Sequence, residues 1–400
     1  MPFLFATSIE NSYPTLADGQ RIDQMDRCGH YARWEQDLEL LREIGVRAVR
    51  YGPAYYRTHR APHQFDWDSC DGPLERLRQL RVEVIADLCH FGVPSWLGGF
   101  QDAAFPVLFA EYARAFARRY PWVRYFTPVY HMAVCARRSA LEGVWNECES
   151  SDAAFVRAVR NLCMAHELAV EAILSERPDA VIVQSELAEQ AYPAARRTRG
   201  DVERWNALRL LPLDLTLGHE LPPGIAGFLN AHGVTSNDLS FFRERRGAGQ
   251  RWLGLGYHEA SETLVASSGR RYAVRRRKGF RGLAAEYHRR YRVPLFCLET
   301  SREGRDAVSW LDAAWEDSLA LRTSGIPVHG FAWTTLTDRL DWRRGARVDE
   351  ARTLADGLFD LRRRRRGAAD AYQELIRRWG VILDVRALHT PPAPRLRILA

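Results

Sequence analysis

Short apolar runs alternate along the chain with longer stretches in which apolar residues recur every three or four positions. The first pattern is typical of buried strands, and the second is typical of helices with one buried face. A helical stretch follows each run, so the order indicates parallel βα units. The runs lie at 3–6, 46–51, 82–88, 123–129, 180–185, 252–256, 294–298 and 328–333. We therefore predict an α/β fold, a single (β/α)8 TIM barrel.

The stretch between the fourth and fifth runs has the clearest helical period. Val159, Leu162, Cys163 and Val170 fall on one face of this helix, and His166 lies on the same face. A histidine on an apolar face is more often a core residue than a ligand. We therefore expect His166 to be hydrogen-bonded in the core, and we exclude it from the site.

The eight units leave many residues for loops. A barrel needs about 250 residues, so about 150 of the 400 belong to longer loops on the carboxyl-terminal face and to extra elements. We predict a loop and helix insertion near 212–250, a second loop near 267–278 and an irregular tail at 384–400. Because we find no repeat or flexible linker, residues 1–400 are predicted to form one domain.

The composition is that of a globular protein, with 46% hydrophobic and 27% charged residues. The formal net charge is +7, but Lys278 is the only lysine among the 57 basic residues. Such an arginine bias is weak evidence for a selected phosphate-binding surface. The basic run 362–366 also lacks the interleaved aromatic residues that stack on single-stranded nucleic acid. We therefore expect no nucleic-acid partner.

The seven cysteines are odd in number and form no C-x-x-C pair, which favours reduced thiols over a disulfide framework or a zinc ribbon. No apolar run approaches the roughly 20 residues needed to cross a bilayer. The first residues lack the cationic start of a secretory signal. We expect a cytoplasmic protein with no membrane partner.

Polar side chains follow most of the predicted strands. In a barrel of this kind, residues at the carboxyl ends of the strands face the pocket. Carboxylates, imidazoles and indoles that converge there suit a polyhydroxylated ligand, whose hydroxyls need hydrogen bonds and whose apolar face stacks on aromatic rings. The candidate residues are Glu10, Arg50, His90, Tyr130, His131, Glu186, Tyr257, His258, Glu299, Trp333, Asp341 and Trp342.

Several segments resemble glycoside hydrolase family 1, the β-glucosidase family, in a compact bacterial form. They are VRAVRYG at 46–52, VEVIADLCHFGVPSWL at 82–97, FAEYARAFARRYPWVRYFTP at 109–128, VPLFCLETS at 293–301 and GFAWTTLTDRLDW at 330–342. The resemblance spans about residues 3–376. It implies that Glu299 is a catalytic nucleophile, that Arg50 supports it, and that His90 binds sugar hydroxyls.

The chain departs from the family inside the pocket. Where the family has Asn-Glu-Pro at the end of strand four, this sequence reads Tyr130-His131-Met132, so the family's acid/base glutamate is replaced by His131. Glu10 stands in place of a sugar-binding glutamine, and Asp341 in place of a sugar-binding glutamate. The scaffold segments are kept, so the differences concentrate where chemistry occurs.

Three functional interpretations stay open at this point. The barrel could carry out different acid/base chemistry on a sugar-like or natural-product molecule, such as an isomerisation, cyclisation, elimination or hydrolysis, with His131 and Glu299 as catalytic groups and Glu186 as a further candidate. It could be a retaining β-glycosidase in which His131 replaces the acid/base glutamate. It could also bind a ligand without turning it over. The first interpretation is our prediction.

Individual residues also have structural explanations. Glu299 could form an ion pair with Arg50, and Glu186 or Glu147 could brace loops. Cys297 shares the strand parity of Glu299, which predicts that it points inward. No short ligand spacing or nucleotide-binding motif is present, so we predict no metal and no cofactor.

Overall fold

The computed structural model describes residues 3–274, 277–341 and 352–388. Its centre is a closed barrel of eight parallel strands in which each strand pairs with its neighbours in chain order. The strands are β1 (Leu4–Ser8), β2 (Ala48–Tyr51), β3 (Glu83–Cys89), β4 (Tyr125–Val129), β5 (Val181–Leu187), β6 (Gln250–Gly256), β7 (Leu295–Thr300) and β8 (Val328–Trp333). All eight predicted strands and the barrel fold are confirmed, with shifts of a few residues at their ends.

The strands are almost entirely buried, as expected when helices cover the outside and side chains fill the interior. The barrel closes where β1 pairs with β8 and with β2, which places Leu4 beside Gly330 and Ala6 beside Ala48. A Cβ on Gly330 would lie 2.2 Å from the Phe296 ring, so this position has no room for a side chain.

Helices surround the barrel and fill its connections. They are α1 (Gln24–Arg27), α2 (His30–Ile44), α3 (Tyr55–Thr58), α4 (Asp68–Gln79), α5 (Phe105–Arg119), α6 (Met132–Ala140), α7 (Asp152–Glu176), α8 (Arg199–Leu208), α9 (Leu211–Thr216), α10 (Pro223–Ala231), α11 (Ser236–Arg245), α12 (Gly279–Tyr291), α13 (Ala307–Thr323) and α14 (Gly367–Leu388). Short 3-10 turns occur at Arg196–Thr198, Glu259–Ser261 and Gly304–Asp306.

The predicted apolar helix is α7, which begins at the N-cap Ser151 and buries the expected face. His166 is fully buried on that face, as predicted. The expected hydrogen bonds are absent, because neither ring nitrogen has a partner among the described residues. The neighbouring polar side chains, Glu167 and Arg251, bond each other at 2.7 Å instead.

The region predicted as an insertion contains α9, α10 and α11, and β6 begins at Gln250. Outside the barrel, Gln190–Pro193, Glu262–Val265 and Arg271–Ala273 form a three-stranded outer sheet. Two small hairpins pair His59–Ala61 with Gln64–Phe65, and Arg339–Leu340 with Thr353–Leu354.

The last described helix, α14, packs across the seam of the barrel. The Tyr372 hydroxyl lies 2.7 Å from the carbonyl of Ala6 and 3.0 Å from that of Phe331, so this helix contacts β1 and β8 together. The prediction of an irregular tail from residue 384 is wrong for 384–388, because the helical hydrogen-bond pattern continues to Leu388. Residues 389–400 lie outside the described chain.

The cysteines at 28, 70, 89, 135, 148, 163 and 297 are all free thiols. Within the described ranges, none of the helices combines the length and the apolar character needed to span a bilayer.

Candidate functional site

A cavity of about 350 Å³ opens at the carboxyl ends of the barrel strands. Side chains that follow β1 and β3 to β8 line it, as expected for a barrel whose loops build the pocket. The polar residues that line its inner part are Glu10, His90, Tyr130, His131, His258, Glu299 and Arg339. All of these except Arg339 were predicted from the sequence, so the structure brings together half of the predicted residues.

The Glu299 carboxylate, near the end of β7, is held by donors on both oxygens. Its Oε1 lies 2.9 Å from His258 Nε2, and its Oε2 accepts a hydrogen bond from the Tyr130 hydroxyl. Burial favours the neutral acid. The charge and hydrogen bond of His258, together with the charge of Arg339, outweigh burial and hold the pKa of Glu299 well below its usual range. Glu299 is therefore ionised at neutral pH.

His131 lies next to this carboxylate, with its Nε2 atom 3.5 Å from Glu299 Oε2. This nitrogen is buried and makes no hydrogen bond with any described residue. Burial lowers the pKa of His131 to about 3, although the charge of Glu299 acts in the opposite direction. The imidazole is therefore neutral at pH 7. Its buried Nε2 atom therefore has no hydrogen-bond partner among the described residues and is available to a ligand.

The backbone of His131 is also unusual. The residue is the N-cap of α6 and adopts a left-handed conformation, with φ 45° and ψ 62°. A residue with a Cβ pays roughly 1–2 kcal/mol for this conformation. Such local strain is often found at functional sites, where the surrounding structure holds it in place.

Tyr130 lies between two histidine rings. Its centroid is 4.1 Å from that of His90 and 3.9 Å from that of His131, and both ring pairs are nearly parallel. The Arg50 guanidinium lies 4.4 Å from the centroid of the Tyr130 ring. These contacts fix the phenol, which in turn fixes Oε2 of Glu299.

Arg50 lies beneath the cavity rather than in its lining. Its Nη1 atom is 2.6 Å from Asp87 Oδ2, and its Nη2 atom is 3.5 Å from Glu10 Oε2. His90 Nδ1 contacts the same Asp87 oxygen at 2.9 Å. The suggested ion pair between Arg50 and Glu299 is wrong, because Asp87 and Glu10 are the carboxylates within ion-pair distance of Arg50 in the described chain.

Glu10 and Glu299 are connected through Arg339, which the sequence analysis missed. Arg339 Nη1 lies 3.5 Å from Glu10 Oε2 and 4.0 Å from Glu299 Oε1, while Nη2 lies 3.0 Å from Asp356 Oδ2. Burial opposes the ionisation of Glu10, but His90, Arg339 and Arg50 together lower its pKa. Arg339 follows β8, so its position was a usable signal, but the resemblance drew attention to Asp341 instead.

On strand six, the two candidate neighbours point in different directions. His258 contacts Glu299, as described above. The Tyr257 hydroxyl instead donates to Glu262 Oε1 at 3.1 Å, and its ring stacks on Trp310. Tyr257 does not line the cavity. The predicted substrate contact of Tyr257 is therefore not supported by its position.

Glu186 was predicted to bind substrate, but it lies behind the cavity wall. Its two carboxyl oxygens are 3.1 and 3.3 Å from the backbone nitrogen of Ala133, in the first turn of α6. Burial raises the pKa of Glu186 to about 8, while the hydrogen bond from Ala133 opposes this rise. Glu186 therefore supports the helix whose N-cap is His131.

The two described candidates at strand eight, Trp333 and Asp341, do not line the cavity either. The Trp333 indole is fully buried and donates to the backbone oxygen of Asp356 at 3.0 Å. The backbone nitrogen of Asp341 is bonded to the Arg352 carbonyl in a hairpin outside the cavity. Trp342 lies outside the described residues.

Two weaker candidates have structural roles. Glu147 accepts a hydrogen bond from the backbone nitrogen of Phe100 and so braces a loop. Cys297 does not share the inward direction of Glu299: its thiol interacts with Ser318 of α13, in the outer helical layer. The reason is a register shift between Cys297 and Glu299, which breaks the alternation on which the prediction rested.

The outer part of the cavity is lined by residues that the sequence did not single out. They are Phe91, Val134, Arg137, Arg138, Glu142, Trp145, Leu187, Glu189, Trp205, Ala260, Ser261, Thr263 and Arg271. Six of them lie on α6, α8 and the outer sheet. These residues line the cavity because the elements that carry them fold over the end of the barrel. No sequence motif predicts this arrangement.

The inner site places a neutral imidazole and an ionised carboxylate within 3.5 Å of each other. A carboxylate can accept a proton, and a neutral imidazole can donate a hydrogen bond without carrying a charge. Over the described ranges, His, Cys, Asp and Glu side chains form no group of three or more that could hold a metal ion.

Comparison with known proteins identifies relatives of this barrel. The sequence model of glycosyl hydrolase family 1 matches residues 15–212 of this chain. The chain is 28% identical over 178 residues to a β-glucosidase from Agrobacterium sp. (strain ATCC 21400), an alignment that covers 42% of this chain and 38% of the relative. It is also 28% identical over 153 residues to β-glucosidase A from Thermotoga maritima, covering 36% and 34%. These alignments span little more than a third of each relative.

The structural match extends much further than these alignments. A β-glucosidase from Thermotoga maritima, solved in complex with deoxynojirimycin, superposes with a TM-score of 0.79 and 18% identity. The superposition covers 94% of this chain and 97% of the other. The same enzyme in complex with methoxycarbonyl-substituted glucoimidazole gives a TM-score of 0.79 at 17% identity. The chain is therefore similar to glycosyl hydrolase family 1 over residues 15–212, and it shares the fold of the Thermotoga maritima β-glucosidase over nearly its whole length.

Proposed function

We propose that this protein is an enzyme that catalyses proton transfer on a small, sugar-like carbonyl compound, with Glu299 as the base and His131 as a neutral hydrogen-bond donor. The observation that carries the proposal is the 3.5 Å distance between His131 Nε2 and Glu299 Oε2, in a cavity where the imidazole is neutral and the carboxylate ionised. A glutamate base beside a neutral histidine is an arrangement suited to enolisation.

The chemistry follows from this geometry. Glu299 takes a proton from the carbon next to the carbonyl group, and the C–H electron pair forms the new C=C bond. The carbonyl π electrons move onto oxygen, where the N–H of His131 stabilises the developing charge. Glu299 then returns the proton to the former carbonyl carbon. At the same time His131 Nε2 gives its proton to the first oxygen and takes the proton of the hydroxyl group on the neighbouring carbon, whose C–O bond becomes the new carbonyl group. The net result is an isomerisation that consumes no co-reactant, so the two side chains suffice for the proton balance.

The distance between the two groups also suits this reaction. In a carbonyl compound, the acidic carbon is bonded to the carbonyl carbon. The base that removes its proton and the donor that bonds the carbonyl oxygen must therefore lie close to each other. His131 Nε2 and Glu299 Oε2, which are 3.5 Å apart, meet this requirement. Tyr130 and His258 hold Glu299 in place from two sides, which limits the reorganisation required during reaction.

The retaining glycosidase interpretation has the similarity to glycosyl hydrolase family 1 and the position of Glu299 in its favour. That reaction needs two carboxyl groups about 5–5.5 Å apart, one of them protonated. Here His131 is neutral and lies closer to Glu299. Glu10 is held ionised by its charged neighbours, and Glu186 does not reach the cavity. None of these three residues supplies the required acid.

The substrate class rests on the lining of the cavity. Its volume of about 350 Å³ lies at the small end of the range for ligand pockets. Carboxylate, imidazole and guanidinium groups surround the inner part, and they can bond several hydroxyl groups at once. The β-glucosidase of Thermotoga maritima binds deoxynojirimycin, an iminosugar, in the same fold.

A fluorinated glycoside with a dinitrophenolate leaving group tests the proposal. Such a leaving group departs without a proton, so a retaining enzyme would be labelled on Glu299 even without its acid. We expect intact-mass spectrometry to show no adduct, while calorimetry shows that the same protein binds deoxynojirimycin. An adduct on Glu299, absent in Glu299→Gln, would show that the glycosidase mechanism is retained and that our proposal is wrong.

A further inference from the structure

The mouth of the cavity carries an arrangement of arginines that the proposed reaction does not use. Arg137 and Arg138 lie on α6, and Arg271 begins the last strand of the outer sheet. All three line the same cavity as Glu299 and His131. We refer to Arg137, Arg138 and Arg271 as the mouth arginines.

The carboxylates at the mouth do not balance these three charges. Arg137 lies 3.1 Å from Glu189 and 3.3 Å from Glu142, and Arg138 lies 2.9 Å from Glu142. Among the described lining residues, two mouth carboxylates therefore face three mouth arginines. Arg271 has no carboxylate of the described chain within ion-pair distance.

The position of Arg271 makes this excess charge significant. Its guanidinium lies 3.8 Å from the centroid of the Trp205 ring, and Arg137 lies 5.5 Å from the same ring. Burial and the positive charge of Arg137 lower the pKa of Arg271, and the charges of Glu189 and Glu142 oppose this shift only in part. The positive charges of Arg271 and Arg137 thus both lie against the Trp205 ring at the edge of the cavity. An anion bound beside this ring would reduce the repulsion between the two arginines. It would also accept hydrogen bonds from the N–H groups of Arg271.

The inner end of the cavity differs in this respect. Glu299 is paired with His258, and Glu10 lies near both Arg50 and Arg339. Among the described lining residues, the excess of positive charge is therefore at the mouth. A ligand that fills the whole cavity would carry its reacting group at one end and a negative charge at the other.

We infer that the mouth arginines bind an oxyanion group, a phosphate monoester or a carboxylate, on the sugar-like substrate. This inference rests on the proposed function, because it assigns the substrate of that reaction. Arg271 supplies the main contact, because its fork of donors is free of carboxylate partners in the described chain, and Arg137 and Arg138 add positive charge around it.

Isothermal titration calorimetry with glucose, glucose 6-phosphate and glucuronate tests the inference at low ionic strength. A charged hydrogen bond contributes about 1.5–3 kcal/mol. We therefore expect at least one acidic sugar to bind tenfold or more tightly than glucose, and Arg271→Ala to abolish that preference. The stronger of the two acidic ligands identifies the group as a phosphate or a carboxylate.

Arg270→Ala is the matched control, because this neighbouring arginine packs on Tyr272 and does not line the cavity. It should keep the preference. Equal binding of all three sugars to the wild type, or an unchanged preference in Arg271→Ala, would overturn the inference. Glu299→Gln should bind acidic sugars with the same preference. The anion site and the proposed reaction are therefore tested independently of each other.

Discussion

The His131 imidazole and the Glu299 carboxylate lie 3.5 Å apart at the bottom of the cavity, with the imidazole neutral and the carboxylate ionised. The two groups do not hold each other in these states. The charge of Glu299 raises the pKa of His131, and the charge of protonated His131 would lower that of Glu299, but burial of the imidazole dominates. This balance can be tested in solution.

Glu299→Gln is expected to abolish carbon-bound proton exchange. The substitution keeps the size of the side chain and removes its capacity to accept a proton. Incubation of acidic ketoses and aldoses in D2O, followed by proton NMR, should show deuterium entering next to the carbonyl group. A general base contributes 10²–10⁴-fold, so the variant should lose at least about 100-fold of the exchange rate.

His63→Gln is the control for this measurement, because His63 lies at the protein surface beside Glu111. It should exchange as fast as the wild type. Exchange that continues at the normal rate in Glu299→Gln would exclude Glu299 as the base.

The imidazole of His131 should stay neutral well below the usual histidine range. Burial lowers its pKa to about 3, so its ring signals should not titrate between pH 8 and pH 5. NMR of protein labelled on histidine rings measures this directly, and His131→Gln identifies the signals. In Glu299→Gln the pKa should fall further, because the carboxylate raises it. A titration near pH 6.5 would mean that His131 is available as a charged acid.

Glu186 is expected to make stability depend on pH. Its pKa in the folded protein is raised from 4.5 to about 8. The stability contributed by the neutral carboxyl is therefore complete below about pH 4.5 and is lost as the pH rises toward 8. The loss should amount to a few kcal/mol, because each tenfold change in proton affinity corresponds to about 1.4 kcal/mol.

Urea unfolding of wild type and Glu186→Gln between pH 5 and pH 9 measures this effect. The variant cannot ionise, so its curve should be flatter across this range. Glu75→Gln, at an exposed position on α4, should follow the wild type. Parallel curves for wild type and Glu186→Gln would show that the carboxyl does not titrate in this range.

Arg50→Ala should destabilise the protein strongly, because Arg50 is almost fully buried and contacts Asp87 at 2.6 Å. Removing it leaves an uncompensated buried carboxylate, which typically costs about 3–5 kcal/mol. Chemical denaturation should detect this loss. Arg42→Ala, which removes an exposed pair with Glu39, should change the free energy of unfolding by less than about 1 kcal/mol. Similar values for the two variants would contradict the assigned role of Arg50.

The strands were predictable because each is a short apolar run, and the position of the cavity followed from the barrel. Prediction of individual side chains was less successful where neighbours compete for one location. His258 and Tyr257 are consecutive, yet the side chain of His258 reaches Glu299 while that of Tyr257 reaches Glu262. A register shift in β7 likewise reversed the direction of Cys297.

The mouth of the cavity was beyond prediction for a different reason. Arg137, Trp205 and Arg271 come from a helix after β4, a helix after β5 and the outer sheet. Their convergence depends on long-range packing, and a single sequence carries no periodic signal for it. Arg339 could have been found, because it lies between the end of β8 and the selected Asp341.

The stack of His90, Tyr130 and His131 bears on how this barrel could have diverged from its relatives, and whether it could return. A glutamate at position 131 would remove one ring of the stack and set a second carboxylate against Glu299, on a backbone that already adopts a left-handed conformation. Tyr130 and Met132 would still occupy the places of the family's asparagine and proline. His131→Glu would therefore disturb the ring stack and the charge around Glu299 at the same time, so a single substitution at this position changes more than one group of the site.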